Sequence, residues 1–205
     1  MLLTSDEALL KLKEGNQRFV EATTTDSFLT TSVDHIRVSR EQRPFAIILG
    51  CSDSRVPAEL VFHCGLGQLF VIRVAGNIVA PSQIGSVEYA CQQFGTQLVV
   101  VMGHSDCGAV DATVTALKAQ DSPVSPNLAA IVERIYPAAH PIVEANPDAD
   151  LSSLIHMSVR ANVKHSVERM KHKSKILEDL VDTGKLRIVG AEYSLKTGIV
   201  DFFDE

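Results

Sequence analysis

The sequence predicts an α/β fold. It would have a mostly parallel central sheet with helical crossovers, a C-terminal edge hairpin strand, and an extended N-terminal helix packing on a neighbouring subunit. Three observations lead there. The runs FAIIL (45–49), QLFVIRVA (68–75) and QLVVVM (97–102) are strand-length and rich in β-branched residues. Their apolar character is continuous rather than alternating, as in strands buried on both faces. Helical patterns lie beside them, at PSQIGSVEYACQQFG (81–95) and CGAVDATVTALKAQ (107–120), and parallel strands need such crossovers.

The elements follow in chain order. SDEALLKLKEGNQRFVEA (5–22) reads as an amphipathic helix, with Ser5 as N-cap and Leu9, Leu10, Leu12 and Phe19 spaced for one apolar side. Its length at the chain's start suggests a contact with another subunit. The polar stretch TTTDSFLTTS separates it from the first strand. QDSPVSP and YPAAHPIVEANPDAD read as Pro-broken loops flanking a short helix around 127–136. A long helical region then runs from 151 to 182 and stops at Gly184. KLRIVGAEYSL and IVDFF, joined by Lys196, Thr197 and Gly198, make a strand and its hairpin partner. With no internal repeat, the 205 residues form one domain (1–205), a helical arm at 5–22 and a core at 42–203.

Composition narrows the function. A net charge of −6 with no basic face argues against nucleic acid or an anionic membrane as partner. No apolar run approaches the roughly 18 residues that span a bilayer. The N-terminus lacks the pattern of a signal peptide. Four cysteines in a chain of this length do not suggest a disulfide framework, so a cytoplasmic, thiol-reduced protein is expected.

The chemistry concentrates at two strand ends. FAIIL is followed by Gly50, Cys51, Asp53 and Arg55, and VVVM by Gly103, His104, Asp106 and Cys107. In a parallel sheet the carboxyl ends share one edge, where ligands bind. If these strands are neighbours, Cys51, Asp53, His104 and Cys107 converge, and two thiols with an imidazole suit Zn²⁺ better than Mg²⁺ or Ca²⁺. Taken singly, a buried cysteine or a lone His-x-x-Cys is more often structural than metal-binding. Asp53 has Arg55 two residues away as a rival partner. Bound to the metal, Asp53 closes the site; held by Arg55, it leaves a fourth position for water. An ionised Asp53 beside a metal-bound hydroxide suits attack on a small electrophilic carbon.

These residues resemble a known family. CSDSR (51–55), RVAGN (73–77), VEYA (87–90) and GHSDCGA (103–109), with EGNQRFV and VGAEYSLKTGIVDF near the ends, are similar to the motifs of β-class carbonic anhydrases. The likeness runs from about residue 5 to 203. It implies one Zn²⁺ on Cys51, His104 and Cys107, with Asp53 either a fourth ligand or, with Arg55, the catalytic partner of the bound hydroxide. It implies reversible hydration of CO₂ to bicarbonate and a proton, and a dimer or tetramer with an apolar cleft at the interface. By position Gln42, Phe70, Tyr89 and Gly108 match substrate-cleft residues. Gln42 also reads as a surface-loop residue, and Phe70 and Tyr89 as core, since pocket and core aromatics look alike in sequence.

One departure stands out. Some bacterial members bind bicarbonate at a non-catalytic site built from a Trp, an Arg and a Tyr. Here Arg73 and Tyr193 match, but Ile48 occupies the Trp position. The resemblance therefore implies an enzyme without that pocket. The alternatives are hydrolysis of COS or CS₂ on the same fold, and a non-enzymatic, zinc-stabilised interaction protein. His63, Cys64, Cys91, Asp106, His156, His165 and His172 read as structural or surface residues, and the Gly-Asn of RVAGN as a tight turn.

Overall fold

The computed structural model describes residues 2–24, 41–119 and 125–203. The polar stretch after the first helix, from residue 25 on, and the 120–124 part of the first Pro-broken loop lie outside these residues. Among the described residues, helix α1 (Ser5–Thr24) leads to strand β1 (Ala46–Gly50), a short helix α2 (Ala58–Val61) and strand β2 (Leu69–Arg73). A 3₁₀ turn (Ala75–Asn77), helix α3 (Pro81–Phe94) and strand β3 (Leu98–His104) follow. Then come α4 (Gly108–Ala119), α5 (Pro126–Ala145), α6 (Leu151–His172), α7 (Lys175–Asp182), β4 (Arg187–Tyr193) and β5 (Val200–Phe203).

The strands lie in the order β2-β1-β3-β4-β5. All neighbours are parallel except β4 and β5, which form the antiparallel edge. Gly50 is level with Arg73 on one side and Met102 on the other, so β1, β2 and β3 end along one edge. Residues of β1 alternate between two apolar layers, as a two-fold strand period requires. Ile48 packs with Ala8, Leu9 and Leu12 of α1, Val61 of α2 and Phe62 at its C-terminal cap. Ile47 and Leu49 pack with Val87 and Ala90 of α3 and with Val163, Val167 and Met170 of α6. A third cluster, under the carboxyl edge, joins Cys51 and Cys107 to Val110, Ile135, Leu154 and Val159 of α4, α5 and α6.

Three local readings need correction, and one short helix was not foreseen. The cap of α1 is Thr4 rather than Ser5: Glu7 N donates to Thr4 Oγ1 at 3.3 Å and Thr4 N donates to Glu7 Oε2 at 2.8 Å, a reciprocal capping pair. Helix α5 runs on through Pro137 and Pro141, where the sequence suggested a loop. Both prolines are exposed, as are Glu133 and Pro137, whose carbonyls they deprive of a donor, so water can satisfy them. The buried face of Ile135, Ala138 and Ala139 holds the helix in place. The long helical region is two helices, because Ser174 turns its hydroxyl to Leu177 N at 3.1 Å and starts α7. The short α2 had no sequence signal.

Close approach between α6 and the sheet depends on Gly103. A Cβ there would lie 2.6 Å from Val163 Cγ2, so any other residue would push the helix off the strand that ends in His104.

Candidate metal centre

β1 delivers Cys51 one residue past its end, and β3 carries His104 as its last residue. Beyond it the chain turns through Asp106, at φ 54°, and returns Cys107 to the start of α4. The first helical bond of α4, from Asp111 N, falls on the Cys107 carbonyl at 2.9 Å. Cys107 therefore sits at the helix N-terminus, where free N–H groups favour a thiolate. The ligand atoms of Cys51, His104 and Cys107 all lie within 4.8 Å of one another, and all three residues are buried.

The donor set fits zinc on its own chemistry. His104 Nδ1 is 2.9 Å from the Ser105 carbonyl, which places the ring proton there and leaves the Nε2 lone pair free. Nε2 is buried without a hydrogen-bond partner, a costly arrangement unless an electrophile meets it. Donation from Cys107 holds the Cys51 thiol below its ordinary range, and Cys107, the donor in a buried site, is correspondingly hard to ionise. Cys51 Sγ also accepts from Gly76 N at 3.4 Å.

Asp53 is not among the three converging donors. Its carboxylate is committed to Arg55: Oδ1 accepts from Arg55 N and Nε at 2.9 Å each, and Oδ2 from Arg55 Nη2 at 2.7 Å. Oδ2 nevertheless lies 3.9 Å from His104 Nε2, beside the metal position. The Arg55 guanidinium holds the Asp53 carboxyl well below the usual carboxylate range. Arg73 secures the same loop by donating to the Cys51 and Asp53 carbonyls at 2.9 and 2.5 Å. Sequence reasoning noted Arg73 only as part of a bicarbonate pocket and missed this role; its place at the end of β2, next to Gly50, was the available signal.

The substrate-cleft candidates divide. Gly108 follows Cys107 directly, and a Cβ added to it would meet nothing within 4 Å, so the space beside the third ligand is open. Phe70 and Tyr89 pack on each other, with ring centroids 6.2 Å apart, and both touch Phe94. Phe70 is level with Ile47, four residues before Cys51, which places it roughly 13 Å down the strand from the metal ligands at 3.3 Å per residue. Gln42 is exposed in the loop before β1. Within one chain these three stand apart from the ligand cluster. Ile48 is fully buried in β1.

Several of the residues read as structural or surface positions are placed as such. Cys64 and Cys91 are buried and unpaired, and burial pushes their thiols up to about 11 and about 12. Asp106 is an exposed turn residue. His156 faces Glu192, and His172 faces Glu168 and Glu178. Among the described residues no other cluster of donors could hold a metal, and no helix is long and apolar enough to cross a membrane.

With this geometry in hand, the comparisons with known proteins are concordant. The family model described as carbonic anhydrase matches residues 46–200. The chain is 37% identical over 188 residues to carbonic anhydrase 2 of Mycobacterium tuberculosis, covering 91% of this chain and 87% of that one. Its fold is similar to the β-carbonic anhydrase CcaA, with a TM-score of 0.74 at 24% identity, over 95% and 91% of the two chains. It is as close, at 0.74 and 19% identity over 94% and 93%, to one of two tetrameric β-carbonic anhydrases from the fungus Sordaria macrospora. Paired strand-end motifs, a converged Cys-His-Cys cluster and these matches together place the chain in the β-class carbonic anhydrase family.

Proposed function

We propose that this carbonic anhydrase holds one Zn²⁺ through Cys51, His104 and Cys107, and that it hydrates CO₂ reversibly to bicarbonate and a proton beside Asp53 and Arg55. The observation that carries the reading is the convergence of three buried soft donors at the carboxyl edge, next to a carboxylate held off them by an arginine. When bound there, zinc supplies a Lewis acid that makes water nucleophilic near neutral pH.

The chain's own residues do the rest. Asp53 is kept ionised by Arg55, and the Oδ2 lone pair that Arg55 leaves open accepts a hydrogen from the attacking water, aiming the oxygen at the CO₂ carbon. Arg55 fixes both carboxylate oxygens, so the orientation is set before substrate arrives, which is where electrostatic preorganisation acts. The open space at Gly108, against the N-terminus of α4, suits a small substrate and favours the anionic product. Loss of the proton from the attacking water and formation of the C–O bond give bicarbonate, and the proton passes to solvent or buffer.

Phe70, Tyr89 and Gln42 serve a cleft only if a second copy brings them to it. We read the active form as at least a dimer, an oligomer as are the tetrameric β-carbonic anhydrases of Sordaria macrospora. β2, which carries Phe70, is an edge strand, Tyr89 is 52% exposed, and Leu10 projects from the open side of α1. All four cysteines are unpaired thiols, which fits a reducing cytoplasm. The family's second bicarbonate pocket is absent on this reading, because Ile48 replaces its Trp and Arg73 is occupied with two carbonyls. COS or CS₂ hydrolysis and a purely structural zinc are not favoured; the latter leaves the Asp53–Arg55 pair without a use.

The test is stopped-flow CO₂ hydration at alkaline pH with zinc-loaded protein and a Cys51→Ser control. Rapid turnover abolished by the substitution supports the reading. Full zinc occupancy with no turnover on CO₂ overturns it.

A further inference from the structure

The 3₁₀ turn that aims Gly76 N–H at the Cys51 sulfur is held from outside the site. Helix α6 carries Ser158, Asn162 and Ser166 at intervals of four, hence on one face, and they are 0%, 1% and 2% exposed. Asn162 Nδ2 donates to the Gly76 carbonyl at 2.8 Å, and Ser166 Oγ to the Asn77 carbonyl at 3.2 Å. Gly76 and Asn77 have φ of 68° and 44°, two successive left-handed residues, of the types that enter that region most readily. On the other sides the turn is walled in. A Cβ at Gly76 would lie 2.7 Å from Ile135 Cδ1 and 3.1 Å from Ala109 Cβ.

We propose that Asn162 is a positioning residue for the metal-binding sulfur of Cys51, acting through Gly76, with Ser166 assisting. The bond to the Gly76 carbonyl sets the rotation of that residue, and with it the direction of the N–H that reaches Cys51 Sγ at 3.4 Å. An N–H donor draws charge from a thiolate, which fixes the sulfur's lone pair and moderates its electron donation to the metal. The choice of an amide at this position supports the role. Asn162 Oδ1 is buried with no hydrogen-bond partner, a cost that an apolar side chain of similar volume avoids. What the amide provides is its single bond to Gly76.

This inference rests on the zinc reading above, and its test separates the two. The variants are Asn162→Leu, which keeps volume and loses the donor, Ser166→Ala, and Ser158→Ala as control, since Ser158 Oγ makes no hydrogen bond. Each is titrated with Zn²⁺ against a chromophoric chelator, and each is loaded with Co²⁺ to record the thiolate-to-metal charge-transfer band. Circular dichroism of the metal-free proteins checks the fold. In Asn162→Leu, zinc affinity is expected to fall about 10-fold or more, and the band to move to lower energy because the sulfur has lost a donor. Ser166→Ala shifts both in the same direction by less, and Ser158→Ala leaves both unchanged. Should Asn162→Leu not fold, Ser166→Ala carries the test alone, and no shift in it overturns the inference. A folded Asn162→Leu with the wild-type band and affinity also overturns it. A wild-type chain with no thiolate band overturns the zinc reading itself, and this inference with it.

Discussion

At Asp53 the carboxylate is given almost wholly to one neighbour, three hydrogen bonds from Arg55, while one oxygen still faces the ligand cluster at 3.9 Å. That arrangement bears on two roles that the sequence left open. On the proposed reading a carboxylate so held is a hydrogen-bond acceptor beside a bound metal, while the three converging donors are Cys51, His104 and Cys107. Removing Arg55 should therefore leave zinc binding intact and damage turnover. For Arg55→Ala we expect full zinc content by atomic absorption and a kcat lower by about 10²-fold, the scale of losing one preorganised electrostatic element. Equal loss of zinc and activity would instead make Arg55 a structural support of the site. Cys51→Ser acts differently, since it exchanges a soft donor for a weak hydroxyl, and should lose both metal and activity together.

Among the elements, the β4–β5 pair carries a local conflict. Glu192 and Asp201 stand directly opposite each other across the two strands, a destabilising pairing of like charges. Arg160 of α6 bridges them, at 2.7 Å from Asp201 and 3.8 Å from Glu192, and lies 3.9 Å over the Phe203 ring. The bridge does not fully offset burial, which raises the Glu192 carboxyl above its ordinary value. A raised carboxyl means that the native state binds more protons than the unfolded chain just above pH 4.5. Stability is then lost as pH rises through that window. Glu192→Gln should raise the melting temperature at pH 7, and the difference from wild type should close as pH falls toward 4.5. A difference independent of pH would assign the effect to packing. Gly103→Ala tests the α6 contact from the other side. With Val163 2.6 Å from the new methyl, overpacking of about 1–3 kcal/mol is expected in urea unfolding. These elements also show how far the sequence could be read. β1, β2 and β3 fall within a residue or two of their apolar runs, because strands buried on both faces leave an unbroken signal. Four ligand-like residues at two strand ends were legible for the same reason, as the strand ends put them on one edge. Helix α5 was not, because Pro137 and Pro141 are local breakers overruled by packing at Ile135 and Ala139. Asn162 could not be read at all. Its partner Gly76 lies 86 residues away, and nothing in VRANVKHS distinguishes a buried amide from a solvated one.

At the scale of the whole molecule, the aromatic pair poses the question of assembly. Phe70 and Tyr89 resemble cleft residues, yet Phe70 stands roughly 13 Å down the sheet from its own chain's ligands, on an edge strand, with Tyr89 of α3 exposed beside it. On the proposed dimeric reading, a cleft built between two chains would resolve the mismatch: each chain would give its metal ligands to one site and its aromatics to the other. That arrangement makes a prediction about mixtures. A Cys51→Ser chain lacks metal but retains its aromatics, and a Phe70→Ala/Tyr89→Ala chain retains metal but lacks them. In a two-fold dimer of the two, one site combines the intact ligands of the second chain with the intact aromatics of the first, and the other site has neither. Each variant alone should hydrate CO₂ poorly. Dissociated, mixed in equal amounts and reassociated, about half the dimers are mixed, so about a quarter of the sites become whole. Activity should rise toward about a quarter of the wild-type value, and ultracentrifugation should show the assembly restored. If Phe70 and Tyr89 served their own chain's site, no mixed dimer could contain a whole one, and the mixture would show only the mean of its two components.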